Sequence, residues 1–300
     1  GLALALDAQG ALRPDLRLVA MSATLDGARF SRLLGGTDQG VPVIESEGRS
    51  YPLALRYLGR SGDGRIEDAM ASAIRQALLR AVDQKEYMTA VAGEDPKMSR
   101  TGVGIFTPGT DMASDAGMEI LNGPRDFAAV KKAIQDAGYK GEKTVLLAPG
   151  EPYYRKAMSD VGAEMMQKVG LNLEIQAMDW GTAIVRRENK SPVDKGGWSA
   201  LFTTANGLDM QTPTLHFLRT TGEAGWFGWA KSEKIEELRA AWVDAPTEEA
   251  QKKVAAEMQV ECFKNVPHIP LGQWFQPMAW QSSADGVLDG FPLFWGVRRV

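Results

Sequence analysis

The spacing of apolar positions divides the longer, C-terminal part of the chain into alternating helices and strands. Within residues 127–138 the apolar positions recur every three or four residues, which predicts a helix. Residues 144–148 form a short apolar run typical of a buried strand, and Pro152 begins a second helix. Apolar and polar positions then alternate over residues 171–177 and predict a strand with one buried face. Strand, helix and strand at this spacing favour a right-handed parallel crossover and therefore an α/β fold.

Further helices are predicted from capping residues and apolar spacing. Residues 66–92 keep one apolar face throughout, which predicts a single continuous helix. Ser232 and Thr247 are N-cap residues that each precede a helical apolar pattern. Arg186 and Arg187 are predicted to be ordinary solvated charges on the surface of a helix.

The first 82 residues carry a different pattern. Residues 16–21, 41–46 and 53–58 predict short strands, and Asp26 is a predicted N-cap for a short helix. The tripeptide Ser-Ala-Thr, residues 22–24, directly follows the first strand. On its own this tripeptide indicates only the end of a strand followed by a turn.

Composition changes at the same place as the pattern. Residues 1–82 contain 10 Arg, no Lys and 9 acidic residues, whereas Lys is frequent afterwards and all eight Trp lie in the later part. Of the net charge of −4, about +1 belongs to the first part and about −5 to the second. Such a shift marks a domain boundary. The composition thus predicts two parts that meet near residue 82.

Several functional classes are not expected. No apolar run reaches the roughly 18 residues of a membrane-spanning helix, and no secretory leader begins the chain. The single cysteine, Cys262, excludes an internal disulfide and is predicted to be a small core residue. His216 and His268 lack metal-ligand spacing and are expected to be structural or surface residues, and no nucleophile motif occurs, so neither cofactor nor catalysis is expected. A net charge of −4 without a basic run argues against nucleic-acid binding.

Residues 1–75 resemble a known family in two specific stretches. The segments LRLVAMSATLDGARFSRLL and VPVIESEGRSYPLALRYLGR resemble bacterial DEAH-box RNA helicases of the HrpB type. This resemblance implies a partial RecA-like fold, in which Ser22 and Thr24 form the motif that links the nucleotide site to strand separation. The phosphate-binding Gly-rich loop and the Asp-Glu-Ala-His box are absent from the sequence. ATPase and helicase activity are therefore not expected.

The later part resembles a second, unrelated family. The segment ALLRAVDQKEYMTAVAGEDP and the ending GFPLFWGVRR resemble family 5 solute-binding proteins of ABC transporters, which carry peptides, nickel or other solutes. In that family two α/β lobes close on a ligand like a clamp. The resemblance implies that residues 76–300 are the C-terminal lobe, a truncated type II periplasmic-binding-protein fold, with the helicase-like segment in place of the first lobe. The two resemblances together imply domains at residues 1–75 and 76–300, and the chain is interpreted as a chimera whose seam lies in residues 75–82.

Candidate ligand residues lie in two segments of this later part. The stretch Asn206-Gly-Leu-Asp209-Met-Gln-Thr-Pro213 resembles the segment in which peptide-binding members place an aspartate opposite the free amino group of the ligand. This resemblance implies a charge-assisted hydrogen bond from the ligand to Asp209, with Asn206 beside it; a turn or capping role is the alternative. Trp198, Trp226 and Trp229 are candidates to line an apolar cleft, and membership of the lobe core is the alternative.

Together these patterns predict a binding protein and not an enzyme. The expected function is binding of a peptide-like solute for uptake through an ABC-transporter permease, weakened because one wall of the clamp is missing. The resemblance of the larger part implies the periplasm, whereas a chain without a leader is expected in the cytoplasm. Two alternatives stay open: a non-catalytic helicase fragment that associates with nucleic acid, and an inactive chimera.

Overall fold

A computed structural model describes residues 66–214, 216–288 and 295–299, which all belong to one unit, Arg60–Val300. The strands and the short helix predicted before residue 60 lie outside the described residues. Ser22 and Thr24 lie outside them as well, so their predicted role in a helicase motif stays a prediction.

Helices and strands alternate through the described residues. The helices are α1 (Ile66–Leu79), α2 (Gln84–Ala92), α3 (Glu119–Asn122), α4 (Phe127–Asp136), α5 (Tyr153–Lys168), α6 (Trp180–Arg186), α7 (Glu233–Val243) and α8 (Glu248–Asn265). The strands are β1 (Ser99–Arg100), β2 (Lys143–Pro149), β3 (Asn172–Met178), β4 (Ala200–Leu201), β5 (Gln273–Trp274), β6 (Ala284–Asp285) and β7 (Arg298–Arg299). Short 3-10 helices, among them Gly207–Met210 and His216–Leu218, lie in the connections.

A parallel sheet with strand order β3-β2-β4 is the centre of the described fold. The β2 and β3 strands pair in parallel from Lys143 opposite Asn172 to Pro149 opposite Met178. Helix α5 connects these two strands, so the predicted parallel strand-helix-strand unit is confirmed. The strand β1 pairs with β5 and β6 pairs with β7, both in antiparallel fashion. This combination confirms the predicted α/β class.

The continuous helix predicted over residues 66–92 is wrong. Helix α1 ends at Leu79, and α2 begins at Gln84. Asp83 is the N-cap of α2, and its side chain accepts a 2.9 Å hydrogen bond from the backbone nitrogen of Lys85. Ala81 and Val82 are buried in the turn between the helices. The apolar positions keep a helical spacing across the turn, because the residues of the turn are buried on the same side as the apolar faces of the two helices. The spacing alone therefore did not reveal the break between them.

The alternating strand β3 is buried along only part of its predicted apolar face. Leu171, just before the strand, is buried, and Leu173 packs against the same core cluster. Ile175, however, is 47% exposed and Ala177 is exposed as well, which makes the predicted buried face wrong at these two positions. The reason is that β3 is an edge strand of the described sheet, with β2 as its one strand neighbour among the described residues.

The buried apolar side chains of the described residues form two clusters. One lies beneath α1, α2, α4 and α5 and includes Tyr87, Ile134 and Met158. The other lies between α7, α8 and residues 105–118 and includes Phe106 and Met258. The predicted N-caps are confirmed, because Ser232 accepts from Ile235 and Thr247 accepts from Ala250.

No helix in the described ranges has both the length and the apolar character needed to cross a membrane.

Candidate functional site

The carboxyl ends of the parallel strands form the edge at which open α/β sheets bind ligands. Strand β2 ends at Pro149 and leads into α5, and β3 ends at Met178 and leads into α6. Aromatic side chains gather here: the Tyr154 ring lies 5.6 Å from that of Tyr153 and 5.3 Å from that of Trp274. The side chain of Tyr153 is 66% exposed. This aromatic edge was not singled out from the sequence, because Trp274 follows Tyr154 by 120 positions.

Asn206 and Asp209 follow the carboxyl end of β4, on the same edge. Asp209 lies in the 3-10 helix Gly207–Met210, and its carboxylate is exposed without a hydrogen-bond or ion-pair partner among the described residues. Asn206 is exposed as well and makes no side-chain cap bond. The segment is fixed through its backbone, because Thr107 donates from its nitrogen to the Met210 oxygen at 3.0 Å and from Oγ1 to the Gly207 oxygen at 2.6 Å.

Gln273 is a candidate residue that the sequence reasoning missed. It lies on β5 beside Gly207, since a Cβ added to this glycine would lie 3.5 Å from Gln273 Nε2. Its Oε1 is buried and has no hydrogen-bond partner in the described part of the chain. A buried acceptor without a donor is unusual and available to a ligand N–H group. No sequence pattern points to Gln273, because a single glutamine in a short strand belongs to no recognisable motif or periodicity.

The three predicted tryptophans lie together in one cluster. The rings of Trp198 and Trp229 are 5.8 Å apart, and Trp198 Nε1 donates a 3.0 Å hydrogen bond to the Arg187 carbonyl oxygen. The Trp226 ring lies 4.8 Å from that of Phe227. We call these four residues the aromatic cluster. The Trp229 nitrogen donates a 2.8 Å hydrogen bond to the Trp226 oxygen, which links the two ring pairs, whereas no described contact joins the aromatic cluster to Asp209.

The loop that carries Trp226, Phe227 and Trp229 is held by backbone hydrogen bonds. Gly222 donates to Ala230 at 3.1 Å, and the Trp226 nitrogen donates to Arg219 at 3.1 Å. Trp229 has a φ of 48°, in the left-handed region that costs a non-glycine residue about 1–2 kcal/mol. Such a conformation persists only where the surrounding structure imposes it, and it is concentrated at functional sites.

Two cations lie against this aromatic cluster. The Arg187 guanidinium carbon is 4.0 Å from the centroid of the Phe227 ring, and Lys190 Nζ is 5.6 Å from that of Trp229. Burial lowers the pKa of Arg187 from its ordinary value. Arg186 donates hydrogen bonds to Gln176 Oε1 at 3.0 Å and to the Gly196 oxygen. The prediction that both arginines are ordinary solvated charges is therefore wrong, because they lie at the C-terminal end of α6, where both side chains contact neighbouring segments.

Helix α7 fixes the connection between the two candidate segments. Glu236 Oε1 accepts hydrogen bonds from the nitrogen of Thr220 at 2.6 Å and from its Oγ1 at 2.9 Å. Arg239 donates to the Pro213 oxygen at 2.6 Å and pairs with Glu236 at 3.0 Å. Burial raises the pKa of Glu236, but the bonds from Arg239 and Thr220 outweigh it and leave the pKa below its ordinary range. Such charge-assisted bonds are stronger than neutral ones.

The remaining titratable residues have structural surroundings. Cys262 is buried, as predicted, and burial raises the pKa of its thiol to about 12. Part of the His268 side chain reaches the surface, but both ring nitrogens are buried without a partner among the described residues. Burial lowers the pKa of His268 to about 4. The side chain of His216 lies outside the described residues. In the part of the chain that is described, no three metal-ligating side chains come together.

Known proteins similar to this chain are of two kinds. The probable peptide ABC transporter periplasmic-binding protein y4tO of Sinorhizobium fredii is 32% identical over 266 residues, which are 87% of this chain and 50% of that protein. The ATP-dependent RNA helicase HrpB of Escherichia coli is 47% identical over 77 residues, which are 26% of this chain and 9% of the helicase. Both resemblances predicted from the sequence are confirmed. The chain thus spans about half the length of the peptide-transporter relative.

A solved structure shows the same fold. The dipeptide-binding protein of Pseudoalteromonas sp. SM9913, in complex with Met-Leu, is 20% identical with a TM-score of 0.58, and the match covers 78% of this chain and 46% of that one. This is a type II periplasmic-binding-protein fold, so the predicted fold of the later part is confirmed.

The model of the bacterial extracellular solute-binding proteins, family 5 middle, matches residues 63–225, more than half of the chain. That match begins ahead of the boundary predicted at residue 75, and the boundary itself stays a prediction. The relatives of this part are binding proteins and not enzymes. The chain belongs to the bacterial extracellular solute-binding proteins of family 5.

Proposed function

We propose that this chain binds a peptide-like solute at the carboxyl edge of its parallel sheet and presents it to an ABC-transporter permease. The exposed and unpartnered carboxylate of Asp209, at the carboxyl end of β4, is the observation that carries the proposal. The name of the y4tO relative and the Met-Leu complex of the structural relative support a peptide as the ligand class. The name of that relative also supports a periplasmic location.

Asp209 is proposed to bind the free α-amino group of the ligand. A carboxylate that already has a cationic partner cannot exchange it without cost, whereas the Asp209 carboxylate has none among the described residues. The backbone on both sides of Asp209 is nevertheless held through Thr107, which bonds to the oxygens of Gly207 and Met210 and so reduces the entropy lost on binding. A charge-assisted hydrogen bond to an ammonium group is about twice as strong as a neutral one.

The neighbouring residues have complementary proposed roles. The unpartnered Gln273 Oε1 is proposed to accept from a ligand backbone N–H group, because an unpaired buried acceptor otherwise costs about 1–3 kcal/mol. Tyr153 and Trp274 are proposed to contact apolar ligand side chains. Asn206 is proposed to hydrogen-bond the ligand beside Asp209.

Binding by these 300 residues alone is expected to be weak. A clamp gains affinity by enclosing the ligand between two lobes, and the chain aligns with half of its peptide-transporter relative. We therefore propose millimolar rather than micromolar dissociation constants for the chain by itself, about 4 instead of 8 kcal/mol of binding free energy.

The test is calorimetric titration of the 300-residue chain with Met-Leu and with N-acetyl-Met-Leu. Wild-type chain should bind the free dipeptide at least tenfold more tightly than the acetylated one. Asp209→Asn should remove that difference, because the amide is isosteric and uncharged. Asp194→Asn is the matched control, since Asp194 is an exposed acid in the 3-10 helix Val193–Lys195. Equal affinity for both dipeptides, or an unchanged difference in Asp209→Asn, would contradict the proposal.

The helicase similarity supports a second candidate function, association of the first 75 residues with RNA. The 47% identity to HrpB over 77 residues is the observation that favours it. Binding carried by phosphate contacts falls steeply with salt. Thermal stabilisation by single-stranded RNA at low salt, and not by Met-Leu, would favour this second function. Stabilisation by neither ligand would favour an inactive chimera.

A further inference from the structure

The guanidinium of Arg187 lies against aromatic rings and forms no ion pair within the described part of the chain. Its carbon is 4.0 Å from the Phe227 centroid and 5.5 Å from the Trp226 centroid. Its Nε is buried and has no hydrogen-bond acceptor among the described residues. The guanidinium takes part in none of the ion pairs described for this part of the chain; the adjacent, exposed Glu188 acts on its pKa by charge alone, and this effect is smaller than that of burial. Partly buried polar groups are usually hydrogen-bonded, so the unused N–H donors of Arg187 are available to a ligand.

Lys190 adds a second positive charge at the same cluster. Its Nζ lies 5.6 Å from the centroid of the Trp229 ring and donates a 2.8 Å hydrogen bond to the Glu223 backbone oxygen. That oxygen belongs to the backbone and does not neutralise the charge. Asn189 Oδ1 accepts from the Ser191 nitrogen at 2.8 Å, which fixes the turn that carries Lys190. The partly buried Arg187 lies where charge attraction is weakened less by water, whereas Lys190 is exposed and adds its charge at the rim of the cluster.

We infer that Arg187 and the aromatic cluster form a binding subsite for a carboxylate attached to an aromatic or apolar group. The planar guanidinium matches a carboxylate with two parallel N–H donors. The rings of Trp198, Trp226 and Trp229 supply apolar contact for the rest of the ligand. The left-handed backbone of Trp229 indicates that this ring is held in place by its surroundings. This subsite does not rest on the Asp209 proposal, because its residues and its ligand group are different.

The experiment uses phenylacetate and its uncharged isostere phenylacetamide as probes, followed by tryptophan fluorescence of the 300-residue chain. Wild-type chain should bind phenylacetate saturably and at least about tenfold more tightly than phenylacetamide. Arg187→Gln should remove this preference, and Arg187→Lys, which keeps the charge without the planar fork, should keep part of it. Lys132→Gln is the control for net charge, because Lys132 is an exposed cation on α4 that pairs with Asp136.

A second pair of probes separates a free acid from a peptide terminus as the source of the carboxylate. N-acetyl-Ala-Phe and its C-terminal amide both lack a free amino group, so neither engages Asp209 by charge. Preference for the free peptide acid over its amide identifies a peptide terminus, whereas preference only with phenylacetate identifies a small acid. Equal binding of acid and amide in both pairs, or an acid preference that survives in Arg187→Gln, overturns the subsite. Absence of saturable binding by the wild-type chain overturns it as well, without bearing on the amino-group test of Asp209.

Discussion

The side-chain oxygen of Gln259 accepts a 3.0 Å hydrogen bond from the backbone nitrogen of Ile105, a residue 154 positions earlier in the chain. The same fully buried side chain donates 2.8 Å bonds to the backbone oxygens of Ser114 and Ala116. One amide on α8 thereby satisfies three backbone groups of residues 105–116. This segment contains no strand or long helix of its own, so Gln259 provides bonds that secondary structure would otherwise supply.

Gln259→Leu is expected to destabilise the protein by about 3 kcal/mol. Leucine is similar in size but leaves the buried Ile105 nitrogen, which costs roughly 1–3 kcal/mol, and two partly buried backbone oxygens without this partner. Urea denaturation followed by circular dichroism measures the change. Gln167→Leu, at an exposed position on α5, is the matched control and should change the free energy of unfolding by less than about 0.5 kcal/mol. Similar stabilities of the two variants would contradict the assigned role of Gln259.

Gly162→Ala is expected to destabilise the core by about 1–3 kcal/mol, because a Cβ at this position would lie 1.9 Å from the Phe202 ring. Gly162 is thus the point at which α5 packs against Phe202. Combining it with Phe202→Leu should remove part of the cost, so the double variant should be more stable than the sum of the single changes predicts. Additive changes in the denaturation midpoints would show that the two residues do not touch.

Stability is expected to fall on mild acidification because of His268. Burial lowers its folded-state pKa from 6.5 to about 4, so between these values the unfolded chain binds a proton that the folded chain does not. The free energy of unfolding therefore decreases as the pH falls from 6.5 towards 4, by up to about 3 kcal/mol for this residue. His268→Gln should show a shallower dependence in urea denaturation between pH 7 and pH 5. Parallel curves for both proteins would exclude this contribution.

Cys262 is expected to react with thiol reagents only after unfolding. It is the single cysteine of the chain, and burial raises the pKa of its thiol to about 12, so almost no thiolate exists at neutral pH. Reaction with a chromogenic disulfide should be at least about hundredfold slower in buffer than in 6 M urea. Comparable rates in both solutions would mean that the packing between α7 and α8 opens readily.

Part of the candidate site could be found without the structure. Asp209 and Asn206 were identified by resemblance to a family segment, and the three tryptophans by their type and spacing. Arg187 and Gln273 were not found, because what distinguishes each of them is an unused hydrogen-bonding group. Whether such a group has a partner depends on the residues around it, which are distant in sequence, such as Phe227 beside Arg187.

The sequence by itself determined the elements whose signals are local. Caps such as Ser232 and Thr247 and the apolar spacing of α4 and β2 act within a few residues, and the structure confirms them. The family was also determined at this level, since whole segments match.

Only the tertiary structure decided which residues share a surface. It interrupted the predicted helix at Asp83, exposed Ile175 on an edge strand and brought the ring of Trp198 against that of Trp229. The physical reason is the same in each case. Burial, pairing and contact are set by neighbouring elements in space, and the periodicity of a single segment contains no information about those neighbours.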